Sequence, residues 1–537
     1  MKSRFAMALF VTLFSVLSLG CGPEGDNNVE DDTDDNEITL PLPAPTAVIS
    51  LASACSGSYC GNNGNSHKGS GVGIWSAKNT EAPSASLDIE LSNVANKEIM
   101  VVFTNEGHNV PYYFPNIYVD TSLKKNIYEE STEDFDETIH FNKKVDLQKL
   151  LEQDDVKKSK SISPKVWNTG DKESWIIEPY DKRESRTAIL VAKGSSSGRN
   201  INFWVESSEY QSTKISQDTI RNIANKFVTL YSYAVSLAGE PWGTHGYGNL
   251  IAGSNQPLNI VFVNFDNNNK GGGVAGYFYG RNNFLNAEGS NEALALFIDT
   301  ETIYAKGTLV ALSTIMHEFT HAINFYQRDI LIDDDFDTFL EEMSANMMED
   351  VLSNMISTTY SDTIDRYSSW IKNATFYNVD FSNWKSESSY YDITASFGAF
   401  LLRQYGVEFY KNLFITHSDP SISKAKLKSL NILDKVIKPY NNSGGLGRAL
   451  RHWGASIALL PYNASPSGFG YPRKISGGFT LKEIDGNSYI NTRKLPTSSP
   501  SVLRPHANFP FLRRATNGIY KESFVVPQNV SVTIVVK

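Results

Sequence analysis

Cysteine is scarce, with three in 537 residues, so the chain is not a disulfide-built scaffold. Basic charge is not in excess either. The formal net charge is −10, and no Lys/Arg-rich stripe marks a nucleic-acid footprint. After the first 20 residues no apolar run is long enough to span a bilayer. Any membrane attachment would then have to come through a lipid. No sequence unit recurs at a fixed period, which excludes a solenoid or propeller. What remains is an ordinary globular composition, 41% hydrophobic and 20% charged, with 12% aromatics. The length allows two to four domains with sizeable cores.

The acidity is local. Eight acids and no base lie between Gly22 and Ala44; without that stretch and the first 21 residues, 47 bases face 51 acids. Lys2 and Arg4 precede an apolar run from Phe5 to Gly20, the pattern of an export signal over residues 1–20. Leu17-Ser18-Leu19-Gly20-Cys21 resembles a bacterial lipobox, with Ser18 where Leu is usual. The resemblance implies a lipid on Cys21 and a place outside the cytoplasm, on the outer membrane or cell surface, or else plain secretion. Residues 21–45 then form an acidic tether ending in Pro41, Pro43 and Pro45. In that compartment Cys55 and Cys60 can pair.

Residues 46–210 predict a β-rich, sandwich-like domain. Ser86–Leu91 alternates polar and apolar residues, and Ile99–Thr104, Thr187–Ala192 and Asn200–Val205 are strand-like. From 211 to 465 strands give way to helices, as in an α+β domain. Ser216 can cap a helix carrying Ile220, Ile223, Phe227, Leu230, Ala234 and Leu237 at helical spacing. Leu258–Phe265, Val274–Tyr279 and Leu294–Ile298 read as strands; Thr308–Gln327 and Thr338–Met355 read as helices. Residues 466–537 return to strands, a small C-terminal β-rich domain ending in Val530–Val536.

The chemistry concentrates in His317-Glu318-Phe319-Thr320-His321. Two histidines four apart share one helix face, about 5–6 Å from each other. Both can reach one Zn²⁺. Glu318 follows the first histidine, so it flanks the metal rather than binding it. There it can take a proton from the attacking water and pass it to the leaving amine. Leu309, Leu312, Ile315, Phe319 and Ile323 supply the buried stripe. A third ligand is still needed. Phe339-Leu340-Glu341-Glu342-Met343-Ser344 offers two acids at the start of the next helix, of which one is expected to turn inward, not both. Asp333, Asp334, Asp335 and Asp337 lack a Ca²⁺-loop spacing and read as a solvated loop. Calcium is possible in an extracellular protein but has no support here.

His-Glu-x-x-His followed by a Glu on the next helix is similar to the gluzincin, or thermolysin-like, zinc peptidases. Leu340-Glu341-Glu342-Met343-Ser344-Ala345 matches that group's second phrase with Glu342 as ligand and Met343 in place of Gly. A Glu-x-x-Ser reading would choose Glu341. Closer still, the chain resembles the hyicolysin-type bacterial extracellular metallopeptidases over about 215–465. Leu258–Phe265, Ala275-Gly276-Tyr277-Phe278, Asn291–Thr300 and Tyr391–Gly406 carry that likeness. It implies a zinc endopeptidase acting on protein or peptide substrates. It also implies a substrate lying along an edge strand, here Leu294–Ile298, and an oxyanion donor at Tyr390 or Tyr391, with Tyr391 preferred. The expected whole is multidomain: an α+β gluzincin-like catalytic domain flanked by β-rich, sandwich-like regions. The site is His317, His321 and Glu342 for one Zn²⁺, with Glu318 and Tyr391 catalytic. The competing reading is a surface-anchored binding or adhesion protein on a peptidase-like scaffold. Nothing in the sequence bears on oligomeric state.

Overall fold

The computed structural model describes residues 41–107, 113–120, 122, 138–140, 164–180, 182–268, 273–359, 361–460 and 465–537. The export signal, Cys21 and most of the acidic tether lie outside the described residues.

Two sheets face each other as a sandwich. In one, Ile99–Asn105 lies between Asn508–Arg513 and Val530–Val536, and the last of these also pairs with Gly73–Lys78. In the other, Ser84–Ser92 pairs in parallel with Ala47–Ile49 and antiparallel with Ile519–Pro527. Leu87, Ile89 and Leu91, every second residue of their strand, point into a core shared with Trp75, Phe103, Phe511 and Ile534. Cys55 and Cys60 are joined in a disulfide at the margin.

A third, seven-stranded sheet lies under the site. Its strands are β1 (Thr138–His140), β2 (Lys172–Ile177), β3 (Glu184–Ser196), β4 (Arg199–Glu206), β5 (Leu258–Val263), β6 (Gly273–Phe278) and β7 (Ala295–Asp299), in the order β1-β6-β7-β5-β4-β3-β2. β4, β5 and β7 run parallel; β6 runs antiparallel to β7. The expected edge strand at Leu294–Ile298 is therefore wrong. β7 is paired on both sides and buried throughout, as its unbroken apolar run Ala295–Ile298 requires.

The strand pairing also departs from the expected division at residues 210 and 466. β2, β3 and β4 belong to the sheet under the helices that carry His317 and Glu342, while the C-terminal strands complete the sandwich begun near residue 47. The reason is burial. Ile99–Asn105 and Val530–Val536 are buried along their whole length and need cover on both faces. One face meets the sandwich core. The other meets the main core, where Met100, Val102 and Val535 join helix residues such as Leu450 and Trp453.

Nine helices pack on the seven-stranded sheet and around it: α1 (Gln217–Ala238), α2 (Thr300–Lys306), α3 (Thr308–Asn324), α4 (Thr338–Ile356), α5 (Asp362–Lys372), α6 (Ser388–Tyr405), α7 (Val407–Ile415), α8 (Ala425–Ile437) and α9 (Gly445–Leu459), counted among the described residues. Ser216 caps α1 by accepting from the Thr219 N–H, and the predicted apolar stripe is the buried one. α3 is buried on every side from Ala311 to Asn324, so the predicted stripe is too narrow. It lies between the sheet and α4, and its apolar residues are not confined to one face. Among the described residues no helix is long and apolar enough to cross a membrane.

α4 and α6 are joined by a buried, bidentate ion pair. Arg403 Nη1 meets Asp350 Oδ2 at 2.5 Å, and Nη2 donates to Oδ1 at 3.1 Å. Removing one partner strands a buried charge. Asp350→Ala is expected to cost about 3–5 kcal/mol in chemical denaturation. A loss below about 1 kcal/mol would mean that solvent reaches Arg403.

Candidate metal centre

α3 and α4 lie side by side, and the site forms where they meet. His317 and His321 are one turn apart on α3, with ring centroids 4.9 Å apart. α4 starts at Asp337, whose side chain accepts from the Phe339 N–H and so fixes where the first turn begins. The residue just after that turn, Glu342, reaches the histidines. His317 Nε2 lies 3.0 Å from Glu342 Oε2, and His321 Nε2 lies 3.7 Å from Glu342 Oε1. Ligand atoms of these three residues all fall within 4.8 Å of one another; among the described residues no other such group of His, Cys, Asp and Glu is found.

The donor set suits a cation. His321 Nε2 and Glu342 Oε1 are buried with no hydrogen-bond partner, a costly state that a shared metal ion would relieve. Two imidazole nitrogens and one carboxylate are a three-ligand set of the kind catalytic zinc uses.

The remaining ring nitrogens are held from behind. Glu349 Oε1 lies 2.7 Å from His317 Nδ1, and its other oxygen accepts from Ser313 Oγ. Glu341 Oε2 lies 3.1 Å from His321 Nδ1 and accepts from Asn324 Nδ2 at 2.6 Å. With both Nδ1 atoms donating to carboxylates, both Nε2 atoms are left as ligands. The expectation that only one of Glu341 and Glu342 turns inward is thus corrected: both are buried. Neighbours on a helix diverge by about 100°, so the pair straddles His321, Glu342 on its metal side and Glu341 on its far side. Glu349 was missed by sequence reasoning. Its signal was there: it follows Glu342 by seven residues and so shares its helix face.

Glu318 is fully buried beside the three ligands, and the Phe278 N–H of β6 donates to its Oε2 at 2.9 Å. Burial pushes its carboxyl up to about 7. Burial also works against a charged Glu342, but the two imidazoles prevail and hold it down at about 2. For His317, burial favours the neutral ring, yet Glu342 and Glu349 outweigh it and raise the ring to about 9. His321 is raised well above its ordinary value against the same opposition from burial, by Glu342 and Glu341.

Without a metal the site therefore holds protons near neutral pH, and a cation must displace them. Apparent Zn²⁺ affinity is expected to rise steeply with pH below the His317 value of about 9, because the cation displaces protons from both rings. Chelator competition at a series of pH values measures this. A flat profile would mean that the rings are already neutral.

Tyr391 lies in α6, packed edge to face on Trp384 at 4.9 Å, with the Arg366 guanidinium 5.5 Å from its ring centre. Arg366 pairs with Asp362 and Asp392 and acts on the charge of Glu349. Tyr391 thus lies between Trp384 and Arg366, and Tyr390 packs on the same Trp384 at 5.6 Å. The acids before α4 are not merely solvated. Asp334 is buried against Arg328 at 3.1 Å and accepts from the Ser418 N–H, and Asp337 is the helix cap.

Comparison with known proteins agrees with this geometry. The peptidase M30 model matches residues 181–537, well beyond the expected 215–465, because the family's extent includes β3, β4 and the C-terminal strands. A domain of unknown function (DUF8571) matches residues 53–119, in the sandwich. No curated protein matches. With two thirds of its length in that match and a buried His317, His321 and Glu342 group able to hold a metal, the chain belongs to the peptidase M30 family of metallopeptidases.

Proposed function

We propose that the protein is a zinc-dependent endopeptidase of gluzincin type, acting outside the cytoplasm on protein or peptide substrates. The observation that carries this reading is the pair of buried ligand atoms, His321 Nε2 and Glu342 Oε1, that face each other at 3.7 Å without a hydrogen bond, beside a fully buried Glu318.

His317, His321 and Glu342 would hold the ion, and Glu349 and Glu341 keep both imidazoles turned toward it. Zn²⁺ bound there would polarise the scissile carbonyl and make water more acidic. Glu318 takes the proton of the attacking water. Its carboxyl, raised by burial, can then release that proton to the departing amine. The Phe278 N–H fixes one carboxylate oxygen, so the transfer needs little reorganisation. Tyr391 stays a proposed oxyanion donor; its ring packs against Trp384 and the Arg366 guanidinium.

The test is zinc content and casein cleavage by the purified full chain. The reading expects about one zinc per chain and cleavage that a chelator stops and zinc restores. No zinc and no cleavage would sink it and favour the binding-protein alternative. The lipobox-like stretch supports a lipid anchor at Cys21. Cys21→Ser should then move the chain from the membrane fraction to the soluble one, and an unchanged distribution would argue for plain secretion.

A further inference from the structure

β6 meets the base at two positions on one face. Gly276 and Phe278 are two residues apart, so they address the same side of the sheet. At Phe278 the contact is the hydrogen bond from its N–H to Glu318 Oε2. At Gly276 the contact is the absence of a side chain. A Cβ there would lie 2.8 Å from Thr314 Cγ2 and 3.1 Å from both Glu318 Cγ and the Phe297 carbonyl oxygen. Such distances are well inside ordinary carbon contact of about 3.5–4.0 Å.

This glycine does not serve a turn, because its backbone is not in the left-handed region. It serves close approach. Nor can the strand step back easily. Gly276 is paired with Ile298 of β7 on one side and with His140 of β1 on the other. Thr314 and Glu318 are one turn apart on α3, so the missing Cβ sets how deeply that turn of the helix sinks against the sheet.

Resting on the zinc-peptidase reading, we propose that Gly276 is a positioning residue for Glu318. It sets the depth of the base-bearing turn of α3, so that the Phe278 N–H can hold Oε2 and leave Oε1 to carry the proton. An intruding methyl group would push the turn outward by a few tenths of an ångström or more. Displacements toward 1 Å cost about a hundredfold in a positioned catalytic group.

The experiment uses zinc-loaded full-length enzyme: wild type, Gly276→Ala, Thr314→Ser and the double variant. Thr314→Ser removes Cγ2, the closest atom, and should leave activity near wild type. Gly276→Ala should keep its zinc and a KM within about twofold, while kcat falls about 10–100-fold. The double variant should recover most of the lost kcat, because only the longer contacts remain. Wild-type kcat in Gly276→Ala would overturn the proposal. So would loss of zinc or of KM in step with kcat, without rescue, because the glycine would then be structural only. Should Gly276→Ala fail to fold, the double variant is compared with Thr314→Ser alone. A kcat lower by a few-fold at equal zinc and KM, left by the 3.1 Å contact with Glu318 Cγ, supports the proposal, and a fall in zinc or KM alongside kcat overturns it. Metal-dependent cleavage by wild type decides the underlying reading separately, since its absence would defeat the peptidase assignment before any variant is compared.

Discussion

Glu318→Gln is expected to bind zinc as wild type does and to lose about 10²–10⁴ in kcat. The amide has the same shape and its oxygen can still accept from the Phe278 N–H, so the site should not rearrange. What it cannot do is accept the proton of the attacking water. The metal-free protein adds a second, independent readout. Burial raises the Glu318 carboxyl to about 7, above its unfolded value near 4.5. A raised carboxyl means that the folded state prefers the protonated form. Stability is then lost as pH rises from the unfolded value through the folded one. Gln has no such penalty. The metal-free variant should match wild type near pH 4 and melt higher than wild type near pH 8. Equal kcat in the two proteins would remove Glu318 from the reaction; equal melting at pH 8 would mean that its carboxylate finds solvent.

The second large effect separates two adjacent acids. Glu342→Gln removes the one charged ligand and is expected to abolish retention of zinc through gel filtration. It leaves His317 Nε2 and His321 Nε2 facing a neutral amide. Glu341→Gln leaves all three ligands in place and weakens only the support behind His321. Its zinc affinity is expected to fall about 10–100-fold, the usual cost of losing an outer carboxylate partner. The reverse ranking would make Glu341 the ligand. Equal, mild losses from both would mean that the third ligand lies elsewhere. Glu349→Gln should resemble Glu341→Gln, because it plays the same part for His317.

Much of this protein was legible from local pattern. A helix over Thr308–Gln327 was expected from its apolar run, and α3 occupies Thr308–Asn324 before continuing as a π turn through Phe325–Ile330. Ser216 as a cap followed from residue chemistry at an element end. Strand positions were legible as well; strand partners were not. The apolar run at β7 says that the strand is buried, but burial alone cannot tell an inner strand from an edge strand with a covered face. In the same way, the C-terminal strands read as a separate small domain until pairing with Ile99–Asn105 placed them in the sandwich.

The same division runs through the site. His317, Glu318 and His321 lie within five residues of one helix, so helical pitch alone brings them together, and the sequence by itself determined them. That spacing also places two imidazoles where one metal ion could take both, with a carboxylate beside them. Only the tertiary structure decided that Glu342 faces both Nε2 atoms while Glu341 and Glu349 hold the Nδ1 atoms. Only it brought the Phe278 N–H and the side-chain-free Gly276 against the base. Those contacts join α3 to α4 and to β6, and they depend on how separate elements are rotated and spaced against each other. That placement is set by packing summed over the whole core, and no short spacing in the chain encodes it.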